Sequence, residues 1–235
     1  MSKSIVPDEH GNLLVKGINQ PMKRATFLKV AGATFATSAL VLAGCKDDDE
    51  EPAPVELTND DFGILNYAYA LEQLEAAFYV QVIATPYANM SASEKTLLTE
   101  IRDHEVIHKQ FFKAALGAKA IRDLEVDFST VKFNERASVL GTAKLLEDTG
   151  VAAYNGAGIL FKDGGFLLVA GKIVSVEARH ASAIRDLLNP LSADFSGDDV
   201  VLAPNGFDGA ALPSVILPAV VATGFLKTKI VSNLP

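Results

Sequence analysis

One cysteine, Cys45, is all that this 235-residue chain contains. A single thiol excludes an internal disulfide framework, a four-cysteine zinc or iron site and a cysteine-ligated iron–sulfur cluster. Any metal must therefore be held by oxygen and nitrogen. Positive charge is also scarce: 21 Lys and Arg stand against 29 Asp and Glu, a net charge of −8. So acidic a surface repels a phosphate backbone, which excludes nucleic acid as a general partner. No Gly-rich phosphate loop and no nucleophile elbow is present. What the chain does have is core-forming material, 49% apolar against 21% charged residues, enough for one domain or two small ones.

Lys23 and Arg24 precede Phe27-Leu28-Lys29, and Val30–Gly44 then runs 15 residues without a charge. That is shorter than the roughly 18 to 20 apolar residues of a spanning helix, so it reads as the apolar part of a secretory signal. It ends in Leu42-Ala43-Gly44-Cys45, which resembles a bacterial lipobox. The resemblance implies cleavage before Cys45 and a diacylglyceryl group on its thiol. The following Lys46-Asp47-Asp48-Asp49-Glu50-Glu51-Pro52-Ala53-Pro54 is too charged and Pro-rich to pack and reads as a solvated tether. Its acidic run is similar to the export signals of surface lipoproteins. Arg24-Ala25-Thr26-Phe27-Leu28-Lys29 is similar to a twin-arginine signal, with Ala25 in place of the second arginine, so the export route stays open. The expected organisation is a signal segment at 1–44, a tether at 45–57, a helical bundle at 58–190 and an extension at 191–235. The expected location is the cell envelope, lipid-anchored at Cys45 on the periplasmic or cell-surface side.

From Thr58 to Pro190 the apolar period is close to 3.6, the signature of helices. Thr58 with Asp61 and Ser91 with Glu94 have N-terminal capping spacing, while Gly117 and Asn189-Pro190 are stop signals. Helices are expected at about 58–84, 92–117, 133–160 and 165–189. The third carries Gly141, Gly150, Gly156 and Gly158, each costing about 1 kcal/mol relative to Ala. Short links make the first two helices, and the last two, antiparallel neighbours, and the longer link at 118–132 can run back along the bundle. The fold class is all-α, a four-helix bundle with a long crossover between its second and third helices.

Steps of three and four residues trace the inward stripe of each helix. The first reads Leu65, Ala68, Glu72, Glu75, Tyr79, and the second Leu98, Ile101, Glu105, His108, Phe112, Ala115. The third reads Leu140, Ala143, Glu147, Val151, Tyr154, and the fourth Ala170, Ile173, Glu177, His180, Ile184, Leu187. Every stripe is ionisable in its middle. Several kcal/mol per unpaired buried carboxylate would exceed a domain's whole stability of about 5–15 kcal/mol, so a cation must lie between the helices.

Glu105-x-x-His108 and Glu177-x-x-His180 each put an oxygen and a nitrogen ligand on one helical face. The halves repeat: Leu71-Glu72 with Tyr79 matches Leu146-Glu147 with Tyr154, and each is followed by a Glu-x-x-His pair. Glu75 falls opposite Gly150 in this alignment, which makes Glu72 the ligand and Glu75 a neighbour. The expected metal ligands are Glu72, Glu105, His108, Glu147, Glu177 and His180, whose four carboxylates balance two divalent cations. Tyr79 and Tyr154 are packing residues or partners of ligand carboxylates across the bundle, where they could also carry an electron hole.

One Glu from each of two helices and one Glu-x-x-His from each of the others resembles the ferritin-like superfamily. Leu65-Asn66-Tyr67-Ala68 through Leu71-Glu72-Gln73-Leu74-Glu75-Ala76-Ala77-Phe78-Tyr79, and His104-Glu105 to His108 with Ala115-Leu116-Gly117, are similar to its secreted bacterial, desiccation-related branch. The resemblance spans residues 58–190 and implies a dinuclear centre of two iron ions, or alternatively two manganese ions. Its members differ in reaction. The expected function is oxidation of Fe(II) by oxygen or peroxide in stress protection, with manganese catalase chemistry or a scaffold with a structural metal as the alternatives; a homo-oligomer stays open.

His104-Glu105-Val106-Ile107-His108 also spells the H-E-x-x-H zinc-protease motif. That reading lacks a third ligand, since Glu125 falls in the crossover, and it leaves Glu177, His180 and the repeat unexplained. His104 is expected behind the ligands or at the surface. In the extension, Leu212–Lys229 is apolar enough for a short fifth helix or a flap, interrupted by Pro218. A membrane span is not expected, because Leu212–Leu226 is too short for one and contains two prolines.

Overall fold

The computed structural model describes residues 52–235, and at the N-terminus a two-residue antiparallel pairing of β1 (Val6–Pro7) with β2 (Leu13–Leu14). The rest of the expected signal segment, Cys45 and the acidic run to Glu51 lie outside the described residues. Residues 53–235 form one compact unit.

Four long helices make up that unit: α1 (Asp61–Ala84), α2 (Ala92–Leu116), α3 (Arg136–Gly158) and α4 (Gly164–Leu188). α1 packs along α2, and α3 along α4. The N-terminus of α1 is capped by Asp60, whose carboxylate accepts from the Gly63 N–H at 2.8 Å. Thr58, the expected cap, instead braces it by donating its hydroxyl to Asp60 at 2.7 Å, so the helix opens at Asp61. Ser91 and Glu94 form the expected reciprocal capping box of α2, and Gly117 ends that helix with φ of 54°. α3 opens at Arg136 rather than 133 because the Glu135 N–H is used in a turn onto the Lys132 carbonyl at 2.9 Å. Asp163 caps α4, and Asp61 accepts from the Lys162 and Asp163 N–H groups, fastening the link between α3 and α4 to the start of α1.

The inward stripes are buried as expected except at two helix ends: at the end of α2 Ala115 is exposed and Leu116 turns inward, and at the end of α4 Leu187 is only half-buried. An α-helix has 3.6 residues per turn, so a stripe stepped by three and four drifts off the core face after several turns. α1 is buried on nearly every side. The crossover lies along its back, held by two buried amides. Asn66 donates to the Lys119 carbonyl at 2.9 Å and accepts from the Ile121 N–H at 2.8 Å, and Gln73 accepts from the Leu124 N–H at 2.8 Å.

The C-terminal extension straps the bundle. It contains a fifth helix, α5 (Pro213–Ala222), with Pro218 inside it, and a hairpin of β4 (Val201–Leu202) with β5 (Phe207–Asp208). Residues 55–57, which composition groups with the tether, form β3 (Val55–Leu57) and pair in parallel with β6 (Ile230–Ser232). Val55 and Leu57 are buried there, and burying such a side chain contributes about 1.5–3 kcal/mol. The Asp127 N–H donates to Phe225 and the Lys227 N–H to Glu125, so the strap also holds the crossover. Gly156 admits the strap onto α3: a Cβ there would lie 1.9 Å from the Ala211 carbonyl oxygen.

A second clamp lies outside the bundle core. The buried Arg185 of α4 takes Asp148 of α3 with two bonds of 2.8 Å, and reaches Asp199 at 2.8 and 3.0 Å and the Asp194 carbonyl at 3.1 Å. Such bidentate pairs fix both distance and orientation.

Candidate metal centre

Midway along the bundle, α1 contributes Glu72, α2 Glu105 and His108, α3 Glu147, and α4 Glu177 and His180. All four glutamates have no exposed surface, and the histidines are nearly as deep. They form two overlapping groups, Glu72 with Glu105, His108 and Glu177, and Glu147 with Glu105, Glu177 and His180. Within each group one ligating atom per residue lies within 4.8 Å of every other.

The distances show how the carboxylates divide. His108 Nδ1 stands 2.9 Å from Glu177 Oε1, 3.4 Å from Glu72 Oε2 and 3.7 Å from Glu105 Oε2. His180 Nδ1 stands 2.8 Å from Glu105 Oε1, 3.5 Å from Glu147 Oε2 and 3.7 Å from Glu177 Oε2. Glu105 and Glu177 thus turn one oxygen to each histidine, whereas Glu72 and Glu147 each face one. The pattern follows the internal repeat, α1 and α2 corresponding to α3 and α4.

The remaining oxygens of Glu72 and Glu147 are taken by tyrosines of the opposite half. Tyr79 donates its hydroxyl to Glu147 Oε1 at 2.6 Å, and Tyr154 donates to Glu72 Oε1. Both phenols are pushed well above their ordinary pKa, first by burial and then by the carboxylate each one faces, so both remain donors. The inward-facing atoms are different. Glu72 Oε2, Glu147 Oε2, both oxygens of Glu105 and of Glu177, and Nδ1 of both histidines are buried and, among the described residues, make no well-directed hydrogen bond, only the close approaches to one another given above. Eight buried ligand atoms that face only one another are suited to sharing a cation, which would satisfy all of them at once. Six oxygens and two imidazole nitrogens are the donor set of first-row divalent metals such as iron and manganese.

Without a cation, protons must carry that charge. Burial and then the Glu177 carboxylate push Glu72 well above the carboxylate range; burial likewise raises Glu147, against the opposing pull of His180. Burial acts to lower both histidines, but the adjoining carboxylates outweigh it and hold both imidazoles protonated. Glu105, close to both histidines, is held low despite its burial. A metal ion requires deprotonated ligands, so its binding displaces these protons.

A family model described as a ferritin-like domain matches residues 60–190. The chain belongs to the ferritin-like domain family. No curated protein matches it. In this ferritin-like domain the rejected protease reading also finds no support in the fold, since Glu125 lies in the crossover with its backbone bonded to Lys227 and Thr228.

Three features of the site are not evident from ligand spacing. Glu75 is buried with Oε2 unpartnered and fills the space that Gly150 leaves, its Oε1 lying 2.9 Å from where a Cβ would stand. Burial, then Glu177, Glu105, Glu147 and Glu72, push its carboxyl well up. The alignment of Glu75 with Gly150 was the sequence signal for this contact. His104 lies behind a ligand, with Nδ1 2.9 Å from Nε2 of His180 and the two rings stacked. Arg185, at an ordinary helix-end position for a cation, is the clamp between α3 and α4.

Proposed function

We propose that this ferritin-like protein holds two iron ions between Glu72, Glu105, His108, Glu147, Glu177 and His180 and oxidises Fe(II) with oxygen or peroxide. The observation that carries the reading is the convergence of eight buried ligand atoms on one another, with Glu105 and Glu177 each facing both histidines. Two adjacent iron ions supply the two electrons that reduction of peroxide to water requires.

The chain's own residues do the rest. Glu105 and Glu177 hold the two positions at a fixed separation. Glu72 and Glu147 each serve one position, and their hydrogen bonds from Tyr154 and Tyr79 keep one oxygen of each turned inward. The apolar side chains above and below, among them Leu98, Ile101, Phe112, Leu140 and Ile184, exclude bulk water and strengthen the electrostatic hold of the carboxylates. Tyr79 and Tyr154 are also the oxidisable side chains nearest the ligands, suited to carry an electron hole.

The same donors accept manganese, and supply decides between the metals. Metal analysis of protein isolated from its own host, with a peroxide-disproportionation assay, tests the choice. Bound iron and Fe(II) oxidation support the reading. Bound manganese with oxygen evolution from peroxide would replace it with catalase chemistry, and a bound metal inert to both oxidants would leave a structural-metal scaffold for envelope stress.

We place the protein in the cell envelope, lipid-anchored through Cys45, on the strength of Leu42-Ala43-Gly44-Cys45 and the charged, Pro-rich segment after it. Cys45→Ser should abolish acylation and processing. Wild-type protein found in the cytosol with residues 1–44 attached would contradict this location.

A further inference from the structure

The repeat that relates the two halves of the centre breaks at one position, and the break lies against a ligand. His104 precedes Glu105, and the matching residue before Glu177 is Val176. His104 Nδ1 lies 2.9 Å from Nε2 of His180, and the rings stack at 5.1 Å between centroids with 9° between planes. An equivalent bond to His108 would have to come from Val176, whose side chain has no nitrogen or oxygen. The side chain of His180 is also the less exposed of the pair, 5% against 11% for His108.

We infer that His104 makes the two metal positions unequal, by holding His180 in the ring orientation and tautomer that a metal ligand needs, while among the described residues no such partner stands against His108. The inference rests on the dinuclear reading proposed above. His180 turns Nδ1 to Glu105, Glu147 and Glu177. For Nδ1 to ligate, its lone pair must be free and the ring proton must sit on Nε2, where it is donated to His104 Nδ1. His104 accepts with Nδ1 and keeps its own proton on Nε2. Partners on the far nitrogen of a ligating histidine fix its tautomer and raise its basicity, and their loss typically costs about 10–100-fold in metal affinity. The position of Glu147 and His180 is accordingly the tight one, and that of Glu72 and His108 the one that fills last and exchanges first. His104 is a positioning residue and touches no metal.

Calorimetric titration of the metal-free full chain with Co(II), which these oxygen and nitrogen donors accept, tests this without reference to activity. The wild type should bind two ions in two resolved steps, and Glu147→Gln should remove the tighter. His104→Phe keeps a stacking ring but removes the acceptor; it should weaken the tight step by about 10–100-fold and leave the weak step in place. His104→Gln, whose amide oxygen can accept, should restore part of the loss, which a merely packing role would not produce. Two ions bound in indistinguishable steps, or a His104→Phe variant with both steps unchanged or both equally weakened, overturns the inference and leaves the dinuclear centre standing. Binding of fewer than two ions by the wild type overturns both.

Discussion

Tyr79 donates its hydroxyl to Glu147 over 2.6 Å although 68 residues separate them in sequence. The bond joins α1 to α3, and the bond from Tyr154 to Glu72 returns it from α3 to α1. Each half of the repeat thus fixes a ligand of the other half. Removing one donor leaves a buried carboxylate oxygen without a partner. Tyr79→Phe should therefore lose about 1–3 kcal/mol of stability, the cost of leaving a buried acceptor unpaired, and about 10–100-fold in affinity at the position that Glu147 serves. Tyr154→Phe should do the same at the Glu72 position. Thermal melts and metal titrations of the two variants check this, and wild-type values for both would reduce the tyrosines to packing.

Glu75 gives a prediction of the opposite sign. It occupies the core with Oε2 unpartnered and contributes to neither ligand group. Glu75→Met retains the length and removes the buried carboxyl, so the metal-free protein should gain about 1–3 kcal/mol while still binding two ions. A variant that melts lower, or binds one ion, would make Glu75 part of the centre.

The fold was legible because the four helices put ionisable residues where an ordinary core would have none. Glu72, Glu105, His108, Glu147, Glu177 and His180 are spaced by three, four or a full repeat, and helical periodicity alone brings them to one level. The back of α1 was not legible in this way. Its outer face is covered by the crossover, a contact between segments far apart in the chain, and Asn66 and Gln73 look like surface residues until their crossover partners are known. The glycines of α3 misled for a related reason. Read locally they weaken a helix; in the structure Gly156 admits the Ala211 backbone and Gly150 makes room for Glu75. The Asp60 cap was missed because the spacing of Thr58 and Asp61 fits a capping box equally well. His104 could be placed behind the ligands, but the identity of its partner needed the packing of α2 against α4.

Far from the centre, Glu94 ties the start of α2 to α3. Arg136 donates to it at 2.6 Å and the Ser91 N–H at 2.9 Å. Burial pushes the Glu94 carboxyl up, but the Ser91 bonds and the Arg136 guanidinium outweigh it and bring it down to about 2 from the ordinary 4.5. A carboxylate whose folded value is depressed adds stability above its unfolded value and loses it as pH falls through the folded one. Glu94→Gln should accordingly cost about 1 kcal/mol at neutral pH, the scale of a helix cap, and the difference from wild type should shrink between about pH 4.5 and pH 2. Chemical denaturation across that range measures it; a difference independent of pH would show that the charge of Glu94 contributes nothing.

Whether the buried centre takes up two irons and oxidises them is read from anaerobic titration of the metal-free full chain with Fe(II), followed by oxygen or peroxide. Two Fe(II) should bind per chain and be oxidised faster than free Fe(II) under the same conditions, with both binding and oxidation lost in Glu105→Gln because that residue faces both histidines. Fewer than two irons bound, or two bound irons oxidised no faster than free Fe(II), would contradict a dinuclear, iron-oxidising centre.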